Sequence, residues 1–403
     1  MENKLTVKRV LIAHQSTIPH YRIPFFNSLE CLKPDDWHFD VVFDLKEGNN
    51  GTPILEGIER TNFNFSILRV TTYDLWSRHR SIKYQTFWRE AGKYDLIIVE
   101  DAINNLTYPL IQLHQYRGVK IAHWGLGRDR KVNKHNPVTL LIERFKLFLD
   151  RRADGYFAYT DGVKSNLLDM GLAEEKVFVV NNTIDVNMHR KLFISAITNR
   201  ETIREELGLS DKKVLLFVST FKKSKKADFL LDAFTHLRKL DPKYFLLLVG
   251  GGGDAYIKNY DLNRIKYFGP EVDPLRLAPI YIASDLFTYP GQVGLAPLQA
   301  LCYSLPVITI DSNYLHGPEI EYLTPENSLI LQQSTTPEGF ARKIHELFCN
   351  KENLAFLKEQ SWPSIQHLTI ENMAENFIFG VNSILGLHTF DNTSNRFQQR
   401  GHP

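Results

Sequence analysis

Leu286-Phe-Thr-Tyr-Pro-Gly-Gln-Val-Gly-Leu295, continued by Ala296 to Tyr303, is a short apolar run, a loop with two glycines and a helical start. Strand, loop and helix in that order leave the first N–H groups of the helix without partners, pointing above the strand tip. The positive end of the helix dipole lies at the same place, so an anion such as a pyrophosphate is the natural occupant. Gly291 and Gly294 permit close backbone approach. A plain tight turn between strand and helix accounts for the same two glycines.

Outward from this segment the same alternation fills the chain. In the second half, strand-like runs begin at Val214 to Val218 and continue with Tyr244 to Val249, Ile265 to Phe268, Leu286 to Tyr289, Pro306 to Ile310 and Ser328 to Leu331. In the first half they are Arg9 to Ala13, Phe39 to Phe43, Phe65 to Val70, Tyr94 to Val99, Val119 to His123, Gly155 to Tyr159 and Lys176 to Val180. Each is followed by a longer stretch of helical period, the pattern of parallel sheets with crossover helices. The fold class is therefore α/β, with two Rossmann-like, doubly wound units facing a central cleft. The polar, helical residues 185–213 read as the connection between them. The expected division is 1–190 for the first domain, 191–213 for the hinge and 214–365 for the second domain. Residues 366–386 are expected to form a helix packing back toward the first domain, and 387–403 a disordered tail.

Composition bounds the partners. The 403 residues suit two or three domains, and 48 Lys plus Arg against 46 Asp plus Glu leave a net charge of only +2. That is not the basic excess of a nucleic-acid coat, so no nucleic-acid partner is expected. Three scattered cysteines, Cys31, Cys302 and Cys349, form no CxxC pair, which argues against a disulfide framework or a structural zinc and fits a reducing compartment. No run approaches the ~18 apolar residues of a membrane span, and the opening residues hold no signal-peptide core. A cytoplasmic location is expected, with at most peripheral contact at the inner face of a membrane.

Two further segments of the second half bear on the anion. Ser219-Thr-Phe-Lys-Lys-Ser-Lys-Lys226 follows the first strand of that half, placing ammonium groups at the carboxyl edge of a parallel sheet, where lysine neutralises a departing phosphate as a point charge. A solvated lysine loop is the plainer reading of the same run. Gly250 to Gly253 lacks the spacing and the acidic ribose ligand of a dinucleotide fingerprint, and reads as a flexible strand end.

The order of these pieces resembles the retaining nucleotide-sugar glycosyltransferases of family 4, the group 1 glycosyltransferases. The segments that carry the resemblance are Pro19-His-Tyr-Arg-Ile-Pro-Phe-Phe26, Val177-Phe-Val-Val-Asn-Asn-Thr-Ile-Asp185, Leu216 to Phe234, Ile265-Lys-Tyr-Phe-Gly269, Ala283-Ser-Asp-Leu-Phe-Thr-Tyr-Pro-Gly291, Gly294-Leu295, Leu305-Pro-Val-Ile308 and His316-Gly-Pro-Glu-Ile-Glu-Tyr-Leu323. The resemblance implies a GT-B architecture whose second domain holds the nucleotide sugar without an essential metal or cofactor, and whose first domain receives the acceptor. By position it implies that Lys225 binds phosphate, that Gly294 and Leu295 lie beneath the pyrophosphate, and that Gly269, Pro270 and Val272 line the base. Thr220, Gln292 and Val293 complete the expected donor set.

Departures from the family pattern are as informative. The paired glutamates of the family fall here on Gly291 and Gln299. Gln299 still offers an amide donor and acceptor to ribose hydroxyls, whereas Gly291 offers only backbone. Thr220 stands where an arginine is usual, Ser219 and Ser304 where glycines are usual. Glu319 is a candidate replacement for the missing carboxylate; a helix-initiating Pro-Glu pair is the alternative.

In the first half, Tyr21 and Arg22 lie beyond the first strand, where the resemblance suggests an acceptor or phosphate role. His123 closes the strand 119–123 and is expected to face the cleft and touch the transferred sugar; a structural histidine is the ordinary alternative. Between Arg117 and Arg152 ten basic residues face three acidic ones, a local +7. Val138 to Leu149 mixes Leu140, Leu141, Ile142, Phe145, Leu147, Phe148 and Leu149 with Arg144 and Lys146 there, which suits an interfacial helix on anionic lipid, or a buried crossover helix with a basic rim.

The expected activity is transfer of a sugar from a nucleoside diphosphate donor to a hydroxyl of a glycan or lipid-linked acceptor, with retention, in cell-surface polysaccharide (lipopolysaccharide-type) synthesis. An epimerase or phosphorylase on the same fold, and a nucleotide-sugar-binding protein without turnover, are the other readings.

Overall fold

The computed structural model describes residues 7–13, 18–42, 63–75, 82–102, 104–127, 137–312 and 316–387. Part of the basic segment expected between Arg117 and Arg152, residues 128–136, and the tail from His388 lie outside these residues.

Among the described residues the strands form two parallel sheets and one hairpin. The first sheet comprises β1 (Lys8–Ala13), β2 (Trp37–Val42), β3 (Ser66–Ile67), β6 (Leu96–Glu100), β7 (Lys120–Gly125), β8 (Gly155–Ala158) and β9 (Val177–Val179), in the spatial order β3-β2-β1-β6-β7-β8-β9. The hairpin pairs β4 (Thr72–Asp74) with β5 (Lys83–Gln85). The second sheet holds β10 (Lys213–Val218), β11 (Tyr244–Val249), β12 (Ile265–Tyr267), β13 (Leu286–Tyr289), β14 (Val307–Ile310) and β15 (Ser328–Leu331), in the order β12-β11-β10-β13-β14-β15. Both orders reverse direction once, between β1 and β6 and between β10 and β13. A crevice opens at such a reversal, outside the carboxyl ends of the strands. Central strands are apolar on both faces, as in Leu246, Leu247, Leu248 and Val249, because helices cover both sides of a parallel sheet.

The helices are α1 (Ile23–Leu32), α2 (Thr107–Ile111), α3 (Pro137–Arg152), α4 (Asp161–Asp169), α5 (Val186–Ala196), α6 (Arg200–Glu206), α7 (Ala227–Leu240), α8 (Asp254–Ile257), α9 (Pro274–Ala283), α10 (Ala296–Cys302), α11 (Pro337–Cys349), α12 (Lys351–Ser361) and α13 (Ile370–Leu385). Their starts carry the expected cap chemistry: Thr160, Asp185, Asp273, Thr336, Asn350 and Thr369 each accept from a first-turn N–H.

Residues 185–213 are not a loose tether. Arg200 and Arg204 of α6 both reach Asp285 at the start of β13, at 2.7 and 3.4 Å, and Lys358 joins them at 3.1 Å. Burial pushes the Asp285 carboxyl up, but Lys358, Arg200 and the Val214 N–H outweigh it and hold its pKa below the ordinary range. The connecting helices are thereby fastened to the second sheet. α13 makes the opposite journey: Met373, Ala374, Phe377 and Val381 enter the core of the first sheet, where Phe377 stacks on Phe157 at 4.4 Å.

Three local readings are corrected. The run from Phe65 to Val70 pairs with β2 only at Ser66 and Ile67, and the chain then leaves for the hairpin, whose three-residue strands are too short to show a period. Gly250 to Gly253 is a packed turn rather than a flexible end. Gly250 (φ +135°) lies so close to Ser219 that a Cβ would stand 1.8 Å from its carbonyl oxygen, and the Gly253 N–H donates to Tyr267, whose hydroxyl donates to the Gly250 carbonyl. The helix of the basic segment is not a plain buried crossover, since α3 buries Lys146 and Asp150 and exposes Leu141, Phe145 and Phe148 beside Arg144, Arg151 and Arg152.

Candidate functional site

The carboxyl tips of β10 and β13 are adjacent at the reversal of the second sheet, and their loops are tied together. After β10 the chain makes a tight turn over Lys223–Lys225, and Lys226 enters α7 in the left-handed region (φ +51°). The Gln292 N–H donates to the Ser224 carbonyl at 2.8 Å, and Lys225 Nζ donates to the Gln292 carbonyl at 2.6 Å while lying 5.3 Å from the Tyr289 ring. Lys222 and Lys223 are exposed, while Lys225 is half-buried and is brought to the β13 loop by its bond to Gln292.

Gly291 is what permits this. A Cβ there would stand 2.3–2.5 Å from the Lys225 backbone. The position that carries a glutamate in the resembling family is therefore filled by main chain, and the lost carboxylate and the close approach of Lys225 are one structural event. Gly294, by contrast, borders open space. The N–H groups of Gly294 and Leu295 donate to no acceptor among the described residues and precede α10. Gln299 is half-buried on α10, and Thr220 is half-buried beyond β10.

The loop is braced from beneath by His316, which sequence reasoning did not single out although it opens His316-Gly-Pro-Glu319. Its Nδ1 accepts the Val293 N–H at 3.0 Å, so the proton sits on Nε2, which donates to the Ile310 carbonyl at 3.0 Å. Of the residues expected at the base, Gly269 (φ +73°) accepts the Gly250 N–H with its carbonyl, Pro270 lies beside Gly251, and Val272 is 40% exposed. Phe221 and Tyr267 pack edge to face at 5.7 Å.

Glu319 is buried where the two halves meet. Asn182, beyond β9, donates to one of its oxygens at 2.6 Å. A methyl on Gly317 would stand 2.4 Å from the other and 3.2 Å from the Val293 carbonyl, so the carboxylate borders the β13 loop. Tyr322 donates to the Asn182 carbonyl, and the Gly162 N–H at the start of α4 donates to Glu321, closing the same seam. Tyr21 packs here against the second core; burial pushes its hydroxyl pKa up, Arg22 pulls it down, and Glu319 and Glu100 push it further up. Arg22, 3% exposed, rests its guanidinium on Trp124 at 4.9 Å and on Tyr159 at 5.9 Å, with Nη1 toward the Met373 sulfur at 3.7 Å. Its Nε has no hydrogen-bond partner among the described residues.

His123 is a correction. It does not face the cleft: the ring is buried under α3, with Nδ1 2.5 Å from Asp150 and Nε2 3.3 Å from the Gln112 amide. Side chains alternate along β7, so with Trp124 on the side of α1 and α13, His123 falls on the other. Asp101 completes a cluster whose ligand atoms are near enough to hold a metal ion, but Lys146 Nζ already stands 2.7 Å from Asp101 and Tyr156 donates to the same carboxylate. Burial weighs against the Lys146 ammonium, yet Asp101 outweighs it and raises the pKa, so this charge is already compensated.

With this geometry in place, known proteins are similar in two ways. Residues 199–361 match the family model described as glycosyl transferases group 1. Spore coat protein SA of Bacillus subtilis is 28% identical over 169 residues, 38% of this chain and 44% of that protein. The D-inositol 3-phosphate glycosyltransferase of Rhodococcus opacus is 26% identical over 197 residues, 45% of this chain and 43% of that protein. The matches thus span less than half of either relative. Anabaena HepE, solved in complex with UDP-glucose, superposes with a TM-score of 0.66 at 17% identity, covering 93% of this chain and 99% of that one. The fold is GT-B, two Rossmann-like domains. Among the described residues no helix is long and apolar enough to cross a membrane.

Proposed function

We propose that the protein transfers a sugar from a nucleoside diphosphate donor to a hydroxyl group, with the donor held on the second sheet. The observation that carries this reading is that the Lys225 ammonium is held on the Gln292 carbonyl of the β13 loop, the same loop whose Gly294 and Leu295 N–H groups donate to no acceptor among the described residues and precede α10. Such donors, fixed in advance and aimed where charge develops, stabilise a departing diphosphate more than the intact sugar nucleotide, which is what lowers a barrier. Lys225 now donates to a main-chain carbonyl, so an arriving phosphate exchanges one acceptor for a charged one.

Retention follows in this scheme if the departing diphosphate accepts the proton of the hydroxyl attacking from its own face; no protein nucleophile or metal takes part. Gly269, Pro270 and Val272 line the base, and Gln299 offers its amide to the ribose. Tyr21 and Arg22 lie on the acceptor side, where a glycan or lipid-linked hydroxyl enters, and Glu319, bordering the β13 loop, stands in for the carboxylate missing at Gly291. A cytoplasmic enzyme of cell-surface polysaccharide synthesis fits these parts. His123 has no direct role.

The test is binding and turnover with a panel of nucleotide sugars. One of them is expected to raise the melting temperature, since a ligand selective for the folded state must. Lys225→Met is expected to reduce transfer by about 10²–10³-fold, the usual effect of removing one such donor, with an unchanged melting temperature in the absence of ligand. Thermal protection by a nucleotide sugar without transfer to any acceptor would identify a binding protein, the reading that Gly291 and Gln299 favour; protection by none would discard the site.

A further inference from the structure

α3 is built inside out. Around its axis, Lys146, Leu149, Asp150 and the following Ala153 are buried, while Leu141 (67% exposed), Phe145 (47%) and Phe148 (53%) form a stripe on the opposite side. The spacing of 141, 145 and 148 is that of one helix face. Soluble helices place such a stripe on their core. Here the rotation is fixed the other way, because the two inward charges are held by the first sheet: Lys146 by Asp101 and the Gly127 carbonyl, Asp150 by His123. Rolling α3 to hide the phenylalanines would pull both buried pairs apart, and leaving a buried charge unpaired costs about 3–5 kcal/mol.

The exposed face is positively charged. Arg144 and Arg151, seven residues apart, line one edge of the stripe, and Arg152 lies over the Phe148 ring at 5.7 Å. The neighbouring turn of residues 112–117 widens it: Gln112 and Gln115 donate to the Leu149 and Arg152 carbonyls, which turns Leu113 (54% exposed) and Tyr116 (79%) outward beside α3. Among the described residues of α3 and 112–117 the carboxylates are Glu143, half-buried, and Asp150, buried, against the exposed Arg144, Arg151, Arg152 and Arg117.

We propose that this surface docks the protein onto a lipid bilayer bearing anionic headgroups, with Leu141, Phe145, Phe148 and Leu113 entering the acyl boundary and the arginines meeting the headgroups. A second copy of the chain is the less suitable occupant, since it would bring one arginine rim against another. The carboxyl tips of the first sheet face the seam between the domains, and α3 begins on that side. The docked stripe therefore runs away from the mouth of the cleft, leaving it at the membrane surface. The inference does not depend on the donor-site reading, and its test does not use transfer activity.

The test is co-sedimentation of the full chain with vesicles of phosphatidylcholine alone and of phosphatidylcholine mixed with phosphatidylglycerol. Wild type is expected to bind the mixed vesicles, less tightly as salt is raised. The double variant Arg144→Gln/Arg152→Gln should bind them more weakly by roughly fivefold per arginine, the equivalent of ~1 kcal/mol each. The triple variant Leu141→Ser/Phe145→Ser/Phe148→Ser should lose at least about tenfold, with the circular dichroism spectrum and melting temperature of wild type, as all three side chains are exposed. Absence of vesicle binding by wild type would overturn the proposal. So would equal binding by both variants, or light scattering that shows a wild-type dimer converted to monomer by the triple variant without any vesicle association.

Discussion

A single missing side chain shapes the proposed donor site. Gly291 admits the Lys225 backbone to a place where any Cβ would collide with it, so restoring the glutamate of the family pattern does not restore a carboxylate contact but expels the β10 loop. Gly291→Glu is expected to destabilise by about 1–3 kcal/mol, the usual cost of forcing atoms into a filled site, and to abolish thermal protection by the nucleotide sugar; chemical denaturation and thermal shift measure the two effects. A variant as stable as wild type with stronger donor protection would show that the loop yields freely. Ser304 presents the same logic in reverse. It keeps the left-handed conformation (φ +54°) that makes glycine usual there, while its hydroxyl accepts from Arg190 at 3.0 Å. Both substitutions were visible as departures in the sequence. Their meaning was not, because it resides in the backbone of a segment some seventy residues away or in the helix of the connecting stretch.

At the level of elements, α5 is pressed against the end of α10 through His189, whose Nδ1 lies 3.1 Å from the Tyr303 hydroxyl. Burial, with His20 nearby, pushes the His189 pKa from 6.5 down to about 4. Above pH 6.5 neither folded nor unfolded chain carries the proton, and the contribution of this group is complete. Between 6.5 and about 4 the unfolded chain takes up a proton that the folded chain refuses, so stability falls with falling pH; below about 4 both are protonated and the loss levels off. Integrated over that window the loss is about 3 kcal/mol. Urea denaturation as a function of pH is expected to show a shallower acid limb for His189→Gln than for wild type, with the curves differing between pH 6.5 and 4; parallel curves would mean that the ring titrates freely in the fold. The helices themselves were legible, since the apolar period of α7 and α11 and the caps at Thr336 and Thr369 are local signals. The inverted face of α3 was only half legible: its mixed composition was plain, but the partners of Lys146 and Asp150 come from the residues just beyond β6 and β7 and from β7 itself, and no spacing within the helix reveals them.

For the whole molecule, the alternation of buried runs and helices made the α/β class and the two doubly wound units legible, while the spatial order of the strands is seen only in the structure. The crossing of α13 is a different kind of fact: the end of the chain, having passed through the second sheet, supplies a wall of the first. Phe377 touches Phe25, Trp124 and Phe157, and Gly380 lies so close that a Cβ would stand 2.5 Å from the Phe157 ring. The first sheet therefore cannot finish its core until the second has been traversed, and the two halves are expected to melt together. Phe377→Ala removes about 3–5 kcal/mol from the first core alone, while the second core, whose contacts include no residue of α13, keeps its own. Scanning calorimetry should then resolve one transition in wild type and two in the variant. The lower would belong to the first sheet, and the upper would still be raised by the nucleotide sugar that protects wild type. If the variant melts in one transition at a lower temperature, the seam of Asn182, Glu319 and Tyr322 couples the halves as strongly as α13 does. In that case the domains cannot rock against each other without breaking Asn182–Glu319, and admission of donor and acceptor would have to proceed through loop movement at the β10 and β13 tips instead.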